Sequence, residues 1–278
     1  MSLKKKKFLD GLFKTITFIL AFSVVLPLFF ILFYIVKKGI SVINFDFIFS
    51  LSGGPGEMGG ILNSIVGTLI LVGIGVLIAF PLGVLVGIFL WEYKRFKFVR
   101  TVSLFVELLQ GIPSIVLGLI GYFWFVKPFG TFSALAGGIT LSFMMLPIII
   151  KSTEETLLLI PDSLKEASLA LGVPYYRTII KVIIPSSLSG IFSGLLIGIG
   201  RIAGETAPLI FTAFGNPYLS TKLLEPIDSL PLLIYNYATS PYPQWHKVAW
   251  GASFVLILFI LISNLSLRFV IRKRKVEF

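Results

Sequence analysis

Six stretches of roughly 20 predominantly apolar residues constrain the fold more than any other feature of this sequence. A helix needs about 20 such residues to cross a hydrocarbon core about 30 Å thick. We therefore predict an all-α polytopic membrane protein with six transmembrane helices. The predicted spans are residues 16–36, 61–90, 108–126, 128–150, 182–211 and 248–267.

The composition excludes an ordinary soluble domain. Of the 278 residues, 56% are hydrophobic and 13% are charged, whereas a soluble domain has about 45–50% apolar and about 25% charged residues. A soluble fold of this size has too little interior to bury 27 phenylalanines besides its leucines and isoleucines, because much of a small protein's surface faces water. The apolar surface is therefore expected to face membrane lipid.

The basic residues are distributed unevenly between the two sides of the membrane. An even number of spans, here six, places both termini on the same side. Of the 24 lysines and arginines, 18 then lie on that side, 5 lie on the other side, and Arg201 lies within a span. Because positively charged loops remain in the cytoplasm, both termini are predicted to be cytoplasmic. The net charge of +11 thus follows mostly from membrane topology and does not indicate nucleic-acid binding.

Two charged residues inside the fifth span, Arg201 and Glu205, interrupt its apolar character. A charge at the centre of a membrane helix costs about 2.5–3.5 kcal/mol, so both side chains are expected to face protein or water. They are four residues apart and would share one face of a helix. Two interpretations stay open: the side chains neutralise each other, or they line a pathway for substrate.

Glycines recur every four residues in the same span. Small residues at this spacing let a neighbouring helix approach closely, which indicates that the span is packed among other helices. This surrounding favours a pathway-lining position for Arg201. The glycines are Gly190, Gly194 and Gly198 on one face, and Gly200 and Gly204 on another.

The connection between the fourth and fifth spans contains a predicted short helix. Pro161 stands near its start, followed by Asp162 and Ser163, and Gly172 suits the left-handed position after a helix end. A short, weakly charged helix followed by a proline is suited to docking into a groove of a partner protein. A plain connecting helix has the same composition, so this reading stays open from composition alone.

The same connection resembles the EAA loop of ABC importer permeases. Residues 166–168 read Glu-Ala-Ser, with serine in place of the second alanine; Gly172 follows, and residues 183–185 read Ile-Ile-Pro. Further stretches are similar to the phosphate-specific permeases of the PstA family. These are residues 55–68, residues 111–118, and residues 201–208, which read Arg-Ile-Ala-Gly-Glu-Thr-Ala-Pro.

The resemblance implies a type I ABC importer permease in a bacterial inner membrane. The implied partners are a second phosphate permease subunit in a heterodimer, a cytoplasmic dimer of ATP-binding subunits, a soluble phosphate-binding protein, phosphate and membrane lipid. The absence of a G-x-x-x-x-G-K-[ST] pattern agrees with an ATPase site on another chain. The implied ATPase-coupling residues are Glu166, Ala167, Ser168, Gly172 and Pro185.

The resemblance also divides the chain into three parts. Residues 1–60 hold an N-terminal cytoplasmic segment, the first transmembrane helix and a periplasmic loop. Residues 61–270 form the permease core of five transmembrane helices, with the coupling loop at residues 151–185. Residues 271–278 form a basic cytoplasmic tail.

The candidate pathway residues are Arg201, Glu205 and Gln110. An arginine fork gives phosphate bidentate contacts without losing its own proton. In one hypothesis Glu205 selects phosphate, because monohydrogen phosphate carries a hydroxyl that can donate a hydrogen bond to the carboxylate, whereas sulfate has none at neutral pH. In the alternative, Glu205 holds Arg201 in place until substrate arrives. Gln110 either lines the inner vestibule or caps the third span at the membrane interface.

Three other functions stay as alternatives. A membrane-embedded enzyme is poorly supported by one histidine, no cysteine, no G-x-S-x-G pattern and no pair of intramembrane aspartates. A permease for another oxyanion, such as molybdate or sulfate, is equally compatible with the EAA loop. A scaffold subunit without a pathway would tolerate Arg201→Leu. We expect a phosphate permease subunit that is not an enzyme and has no metal or cofactor.

Overall fold

The computed structural model describes residues 3–272, and within this range the chain is helical apart from connections and one bridge between Phe214 and Ile227. Two segments, Tyr122–Val126 and Ile179–Ile183, are π-helical and lie between α-helical segments. Residues 273–278 of the predicted tail at 271–278 lie outside the described residues. The helices are α1 (Leu3–Gly39), α2 (Phe45–Phe49), α3 (Leu62–Glu92), α4 (Lys97–Gly111), α5 (Ser114–Gly121), α6 (Lys127–Phe129), α7 (Ala134–Leu158), α8 (Asp162–Ala170), α9 (Tyr175–Thr178), α10 (Ile184–Ala203), α11 (Ala207–Thr212), α12 (Leu230–Ala238) and α13 (Pro243–Arg272).

Within the described residues, five helical stretches are long and apolar enough to cross a membrane, and a bent pair supplies the sixth span. In that pair, α4 meets the stretch from α5 to α6 at an angle of 101°. The bend lies at Ile112, whose φ of −71° and ψ of 126° belong to the extended conformation that a following proline, here Pro113, favours. The predicted six-span all-α fold is confirmed, with the third span broken instead of straight.

The centre of the bundle is α7, which packs against α3 and α10. Its residues Leu141, Met145 and Ile149 are at most 1% exposed. A glycine of α3 permits the close contact, since a Cβ added at Gly83 would lie 2.7 Å from the Ile149 side chain. By contrast, α1 leaves nearly all of its side chains exposed and packs along α13. The helices α3, α7 and α10 therefore form the rigid unit that carries the candidate site.

The connections gather at two ends of the bundle. The turn at residues 93–96 and the segment 159–183 lie at one end, which we call the α8 face. Residues 50–61, 130–133 and 213–242 lie at the other end, which we call the α12 face. The two faces mark opposite sides of the membrane that the six spans would cross.

The fifth apolar run, predicted as one span over residues 182–211, consists of two helices. The helix α10 ends at Ala203, and α11 begins only at Ala207. Pro208 explains the break, because in a continuous helix its ring would clash with the carbonyl group of Gly204, four residues earlier. Arg201 is therefore in the last turn of α10, and Glu205 lies in the break between the two helices.

The short helices α5 and α11 pack against each other between the central helices and the α12 face. A Cβ added at Gly118 would lie 2.7 Å from the Cα atom of Pro208, and one at Gly121 would lie 2.9 Å from the Thr212 side chain. The second half of each broken span thus contacts the second half of the other.

The fourth span is displaced from the predicted residues 128–150 toward the α8 face. It begins after Ser133, whose hydroxyl oxygen accepts a hydrogen bond of 3.1 Å from the Ala136 amide as an N-cap. It then continues to Leu158 without a break. Lys151, which was assigned to the coupling loop at 151–185, consequently lies within α7.

Candidate functional site

A cavity of about 350 Å³, here called the central cavity, lies between α4, α5, α7 and α10. Arg201 and Gln110 both line it, together with Met144, Lys151 and Glu155 of α7. The α7 residues from Met144 to Glu155 cover about 16 Å of helix, so the cavity leads from the middle of the bundle toward the α8 face. The structure thus brings two of the three predicted pathway residues to one cavity.

Arg201 is held loosely at this cavity. Its side chain is 49% exposed, and its Nε atom lies 3.9 Å from Oε1 of Glu205, which is too long for a hydrogen bond. Within residues 3–272 its guanidinium group makes no hydrogen bond. Its position in the last turn of α10 is favourable, because a helix carboxyl end stabilises a cation. The N–H donors of Arg201 are therefore available to an anion.

Glu205 is placed differently from Arg201. Its side chain is 18% exposed, and it does not belong to the wall of the central cavity. The break between α10 and α11 turns the chain at Gly204, so the two side chains do not follow each other along one helix. In this arrangement Glu205 influences the cavity through its ion pair with Arg201.

Gln110 stands at the end of α4, where the third span bends. Its Nε2 atom donates a hydrogen bond of 3.4 Å to the carbonyl oxygen of Pro147 in α7. Its side chain remains exposed at the cavity. The structure places Gln110 in the wall of the central cavity, and its side chain links α4 to α7.

Lys151 is a charged residue of the central cavity that the sequence analysis missed. Its Nζ atom lies 2.8 Å from Glu107 Oε1 and 3.1 Å from Glu154 Oε2, and donates a hydrogen bond of 2.6 Å to Ser103 Oγ. Lys151 thus has two carboxylates within hydrogen-bond distance, whereas the carboxylate that pairs with Arg201 lies 3.9 Å away. The signal that could have found it is the lack of a helix breaker between Pro147 and Ile160, which lets α7 continue past its apolar run.

The predicted packing glycines fall into two groups. A Cβ added at Gly190 or Gly194 would overlap side chains of α7, those of Thr156 and Ser152, and one at Gly198 would lie 2.8 Å from Met145. These three glycines lie along the contact between α10 and α7. The other two differ: Gly200 has only an ordinary contact with Ile260, 3.7 Å from such a Cβ, and Gly204 caps the end of α10.

The predicted helix after Pro161 is present as α8. As predicted, Gly172 adopts a left-handed conformation, with φ of 76°. Its amide donates a 2.9 Å hydrogen bond to the Leu169 carbonyl oxygen, and the Val173 amide donates one of 3.3 Å to the Ser168 carbonyl oxygen. This is the Schellman pattern that ends many helices. It stops α8 and turns the chain toward α9.

The predicted coupling residues divide between the surface and the interior. Glu166 and Ala167 are exposed on α8, and Pro185 is exposed in the first turn of α10. Ser168 is buried, and its hydroxyl group lies 2.9 Å from that of Thr178. Ser168 therefore fastens α8 to α9, while the exposed residues are free to contact another protein.

A buried polar cluster lies at the α12 face, and we call it the Asp228 cluster. The Asp228 carboxylate accepts hydrogen bonds from the Ser64 hydroxyl and, at 3.3 Å, from the Asn63 amide. Asn63 also donates to the Asn216 carbonyl oxygen at 3.0 Å, and its Oδ1 accepts from the Ser52 hydroxyl at 3.0 Å.

Asp228 itself is only 7% exposed. Burial raises its pKa to about 6, although the Ser64 hydrogen bond acts in the opposite direction. Sequence reasoning missed this cluster, because Asn63 and Asp228 come from distant parts of the chain. Nothing in their spacing indicates that they meet.

Within residues 3–272, no three histidine, aspartate or glutamate side chains are grouped closely enough to hold a metal ion. The chain contains no cysteine. The polar side chains that line the central cavity include Gln110, Lys151, Glu155 and Arg201, which offer hydrogen bonds and charges of both signs to a ligand.

Comparisons with known proteins agree with a membrane transport component. The family of binding-protein-dependent transport system inner membrane components matches residues 79–276. The phosphate transport system permease protein PstA of Haemophilus influenzae is 38% identical over 257 residues, which cover 91% of each chain. The probable phosphate transport system permease protein PstA of Methanocaldococcus jannaschii is 37% identical over 264 residues, 95% of this chain and 94% of that protein.

Solved structures resemble the fold. An inward-facing conformation of the MetNI methionine ABC transporter superimposes with a TM-score of 0.63 at 23% identity, covering 78% of this chain and 94% of that chain. An amino acid ABC transporter with histidines gives a TM-score of 0.56 at 19% identity, covering 77% of this chain and 93% of that chain. At these identities the likeness concerns the fold alone.

Proposed function

This chain belongs to the family of binding-protein-dependent transport system inner membrane components, in the branch of phosphate transport system permeases, and on that basis we propose that Arg201 and Gln110 line its path for phosphate. The protein is a multi-pass inner-membrane permease of a phosphate ABC importer and has no catalytic activity of its own. The observation that carries the proposal is that the guanidinium group of Arg201 faces the central cavity and makes no hydrogen bond to any residue between 3 and 272.

A guanidinium group in this state suits the transient binding that transport requires. It offers planar, paired donors to two oxygens of a phosphate. One guanidinium group, that of Arg201, and one side-chain amide, that of Gln110, bind an anion weakly enough for it to dissociate again, which conduction requires. The glycines Gly190, Gly194 and Gly198 support the site, because they hold α10 against α7 and so set the position of Arg201.

Glu205 acts on this path through Arg201. Its carboxylate lies 3.9 Å from the guanidinium and outside the cavity wall. This placement favours the alternative in which Glu205 holds Arg201 until phosphate arrives, over direct acceptance of a phosphate hydroxyl. The ion pair is then exchanged for contacts between Arg201 and the anion.

The α8 face is the proposed docking surface for the ATPase. Glu166 and Ala167 are exposed on α8, and Leu171 is 84% exposed beside them. An exposed apolar side chain next to a short helix is suited to insertion into a partner's groove. Ser168, Gly172 and Pro185 shape the segment, since they fasten α8, end it and start α10.

The proposed assembly follows from this orientation. The α8 face and both termini lie in the cytoplasm, in agreement with the positive-inside rule, and a dimer of ATP-binding subunits docks there. A second phosphate permease subunit completes the path as a heterodimer. A soluble phosphate-binding protein meets the α12 face. Residues 1–60 add the first span to the permease core at 61–270.

The test is reconstitution of this chain with its partner permease and ATPase in vesicles, with the binding protein added. ATP hydrolysis and uptake of the added anion are measured with phosphate, sulfate and molybdate, for the wild type and Arg201→Leu. We expect stimulation by phosphate alone, and a loss of about 100-fold in phosphate uptake for the variant, as for the removal of a charge-assisted contact of about 3 kcal/mol.

The alternatives give different results. Stimulation by sulfate or molybdate would retain the importer and overturn the phosphate assignment. Uptake by Arg201→Leu at the wild-type rate would exclude Arg201 from the path and leave a scaffold role. Exposed Arg100 in α4 provides the matched control, because Arg100→Leu removes the same charge away from the cavity.

A further inference from the structure

Lys165 of α8 points back toward the membrane helices. Its Nζ atom lies 3.3 Å from each carboxylate oxygen of Glu92, the last residue of α3. The same atom lies 5.3 Å from the ring centre of Trp91 and 4.8 Å from that of Tyr175. The ammonium group is thus held by one carboxylate and two aromatic rings.

This contact is shielded from solvent. The side chains of Lys165 and Glu92 are 25% and 23% exposed, and Trp91 is buried against Leu157 and Ile183. Burial alone would lower the pKa of Lys165, but its contacts with Tyr175 and with the Glu92 carboxylate outweigh this effect and raise the pKa. An exposed ion pair contributes little, whereas a partly desolvated cation over aromatic rings contributes more.

The contact joins α8 to a helix that reaches the opposite face. The 31 residues of α3 span about 46 Å and begin beside Asn63 and Ser64 of the Asp228 cluster. The other described polar link of α8, between Ser168 and Thr178, leads to α9. The link through Lys165 is therefore the one that connects α8 with α3.

We propose that Lys165 is a positioning residue that couples α8 to α3, so that a displacement of α8 by the ATPase moves α3 with it. The inference rests on the proposed function, in which α8 is the docking element. A rigid helix transmits a movement at one end to its other end when the link at the first end is firm. Lys165 has no contact with phosphate in this role and acts through Glu92 and Trp91.

The experiment measures phosphate uptake per ATP hydrolysed in vesicles that contain the complete importer. Lys165→Gln removes the charge and the ring contacts, and we expect uptake per ATP to fall about fivefold or more, as for a moderate coupling free energy. Lys165→Arg keeps a cation over the rings and should restore the ratio to within about twofold. Glu92→Gln should resemble Lys165→Gln, and the double variant should be no worse than either, because both remove one link.

A matched control separates the loss of charge from the loss of this contact. Lys181 is exposed at the α8 face, and Lys181→Gln should leave uptake per ATP unchanged. Because the chain has no cysteine, Ala167→Cys provides a single site for cross-linking α8 to the ATP-binding subunit. This cross-link reports docking independently of transport.

The outcomes distinguish the two levels of the proposal. A cross-link retained in Lys165→Gln, together with the reduced ratio, supports the inference. If uptake per ATP in Lys165→Gln stays within twofold of the wild type while the cross-link is retained, the inference is overturned. Loss of the cross-link in Lys165→Gln also overturns it, because Lys165 would then be needed for the structure of α8 and not for transmitting its movement. No cross-link in the otherwise unchanged chain overturns the proposed docking of α8, and the inference with it.

Discussion

Arg201 and Asp228 are both charged residues near helix ends, Arg201 in the last turn of α10 and Asp228 just before the N-cap of α12, and their surroundings differ. Arg201 is 49% exposed, makes no hydrogen bond within the described residues and lines a cavity. Asp228 is 7% exposed and accepts hydrogen bonds from Ser64 and Asn63. A charge that retains free donors is available for a ligand, whereas a charge with its hydrogen bonds satisfied holds the structure together.

The comparison teaches that charge inside a membrane protein is not by itself a sign of substrate binding. Intramembrane and buried charges are functional candidates by default. The number of satisfied hydrogen bonds and the exposure decide between binding and support. The following changes test whether the two regions differ in the way described.

The largest effect is expected from overfilling the Asp228 cluster. A Cβ at Gly67 would overlap the backbone carbonyl oxygen of Asp228, so Gly67→Ala should reduce the free energy of unfolding by about 3 kcal/mol. At Gly204 the nearest atom would lie 3.9 Å away, and Gly204→Ala should change it by less than about 0.5 kcal/mol. The free energies of unfolding of the two variants are measured in detergent by tryptophan fluorescence. Equal decreases for Gly67→Ala and Gly204→Ala would show that the two regions are packed alike.

The next effect concerns the fork of Arg201. Arg201→Lys keeps the charge but loses the paired donors, so phosphate uptake should fall about tenfold while unfolding changes by less than about 0.5 kcal/mol. Uptake into vesicles and tryptophan fluorescence measure the two quantities, and Arg100→Lys serves as the control. Wild-type uptake would mean that charge alone suffices, and a large loss of stability would give Arg201 a structural role like that of Asp228.

A smaller effect should depend on pH. Burial raises the pKa of Asp228 to about 6 from its ordinary value of 3.8, so the folded protein retains a proton that the unfolded chain releases between these values. Its stability should therefore fall by about 1 kcal/mol as the pH rises from 5 to 7. Asp228→Asn should abolish this part of the pH dependence. Melting temperatures of both proteins across this range check it, and identical slopes would contradict the buried state of Asp228.

The smallest effect distinguishes the two ends of α7. The Thr153 hydroxyl, toward the α8 face, is buried without a hydrogen-bond partner among the described residues, and Thr153→Val should stabilise the protein by about 0.5–1 kcal/mol. The Thr140 hydroxyl, toward the α12 face, donates a hydrogen bond of 2.8 Å to the Ala136 carbonyl oxygen. Thr140→Val should not stabilise the protein, and a gain of the same size at both positions would contradict the distinction.

The sequence predicted the elements that depend on local chemistry. The number of spans, the helix α8 and the left-handed Gly172 follow from apolar length and from capping residues that are close in the chain. Arg201 was found because a charge in an apolar run is costly. Each of these signals is contained in a short stretch of residues.

The remaining features depend on residues that meet only after folding. Neither the contacts of Lys151 with Ser103 and Glu107 nor the Asp228 cluster has a local signal. The break after Ala203 was missed for another reason. Pro208 can be read from the sequence, but its clash acts four residues earlier, at Gly204, and so separates Glu205 from the helix of Arg201.

The paired breaks in the third and fifth spans have a mechanical consequence. The turn at Ile112 and Pro113 and the break at residues 204–206 both lie beside the central cavity, and α5 and α11 beyond them pack together. Rotation about these joints changes a few backbone dihedral angles and disrupts no hydrogen bond inside a helix, which is the property of a hinge. The fold therefore places two hinges near Arg201, of which one joins α5 to α4 and the other joins α11 to α10 of the rigid unit.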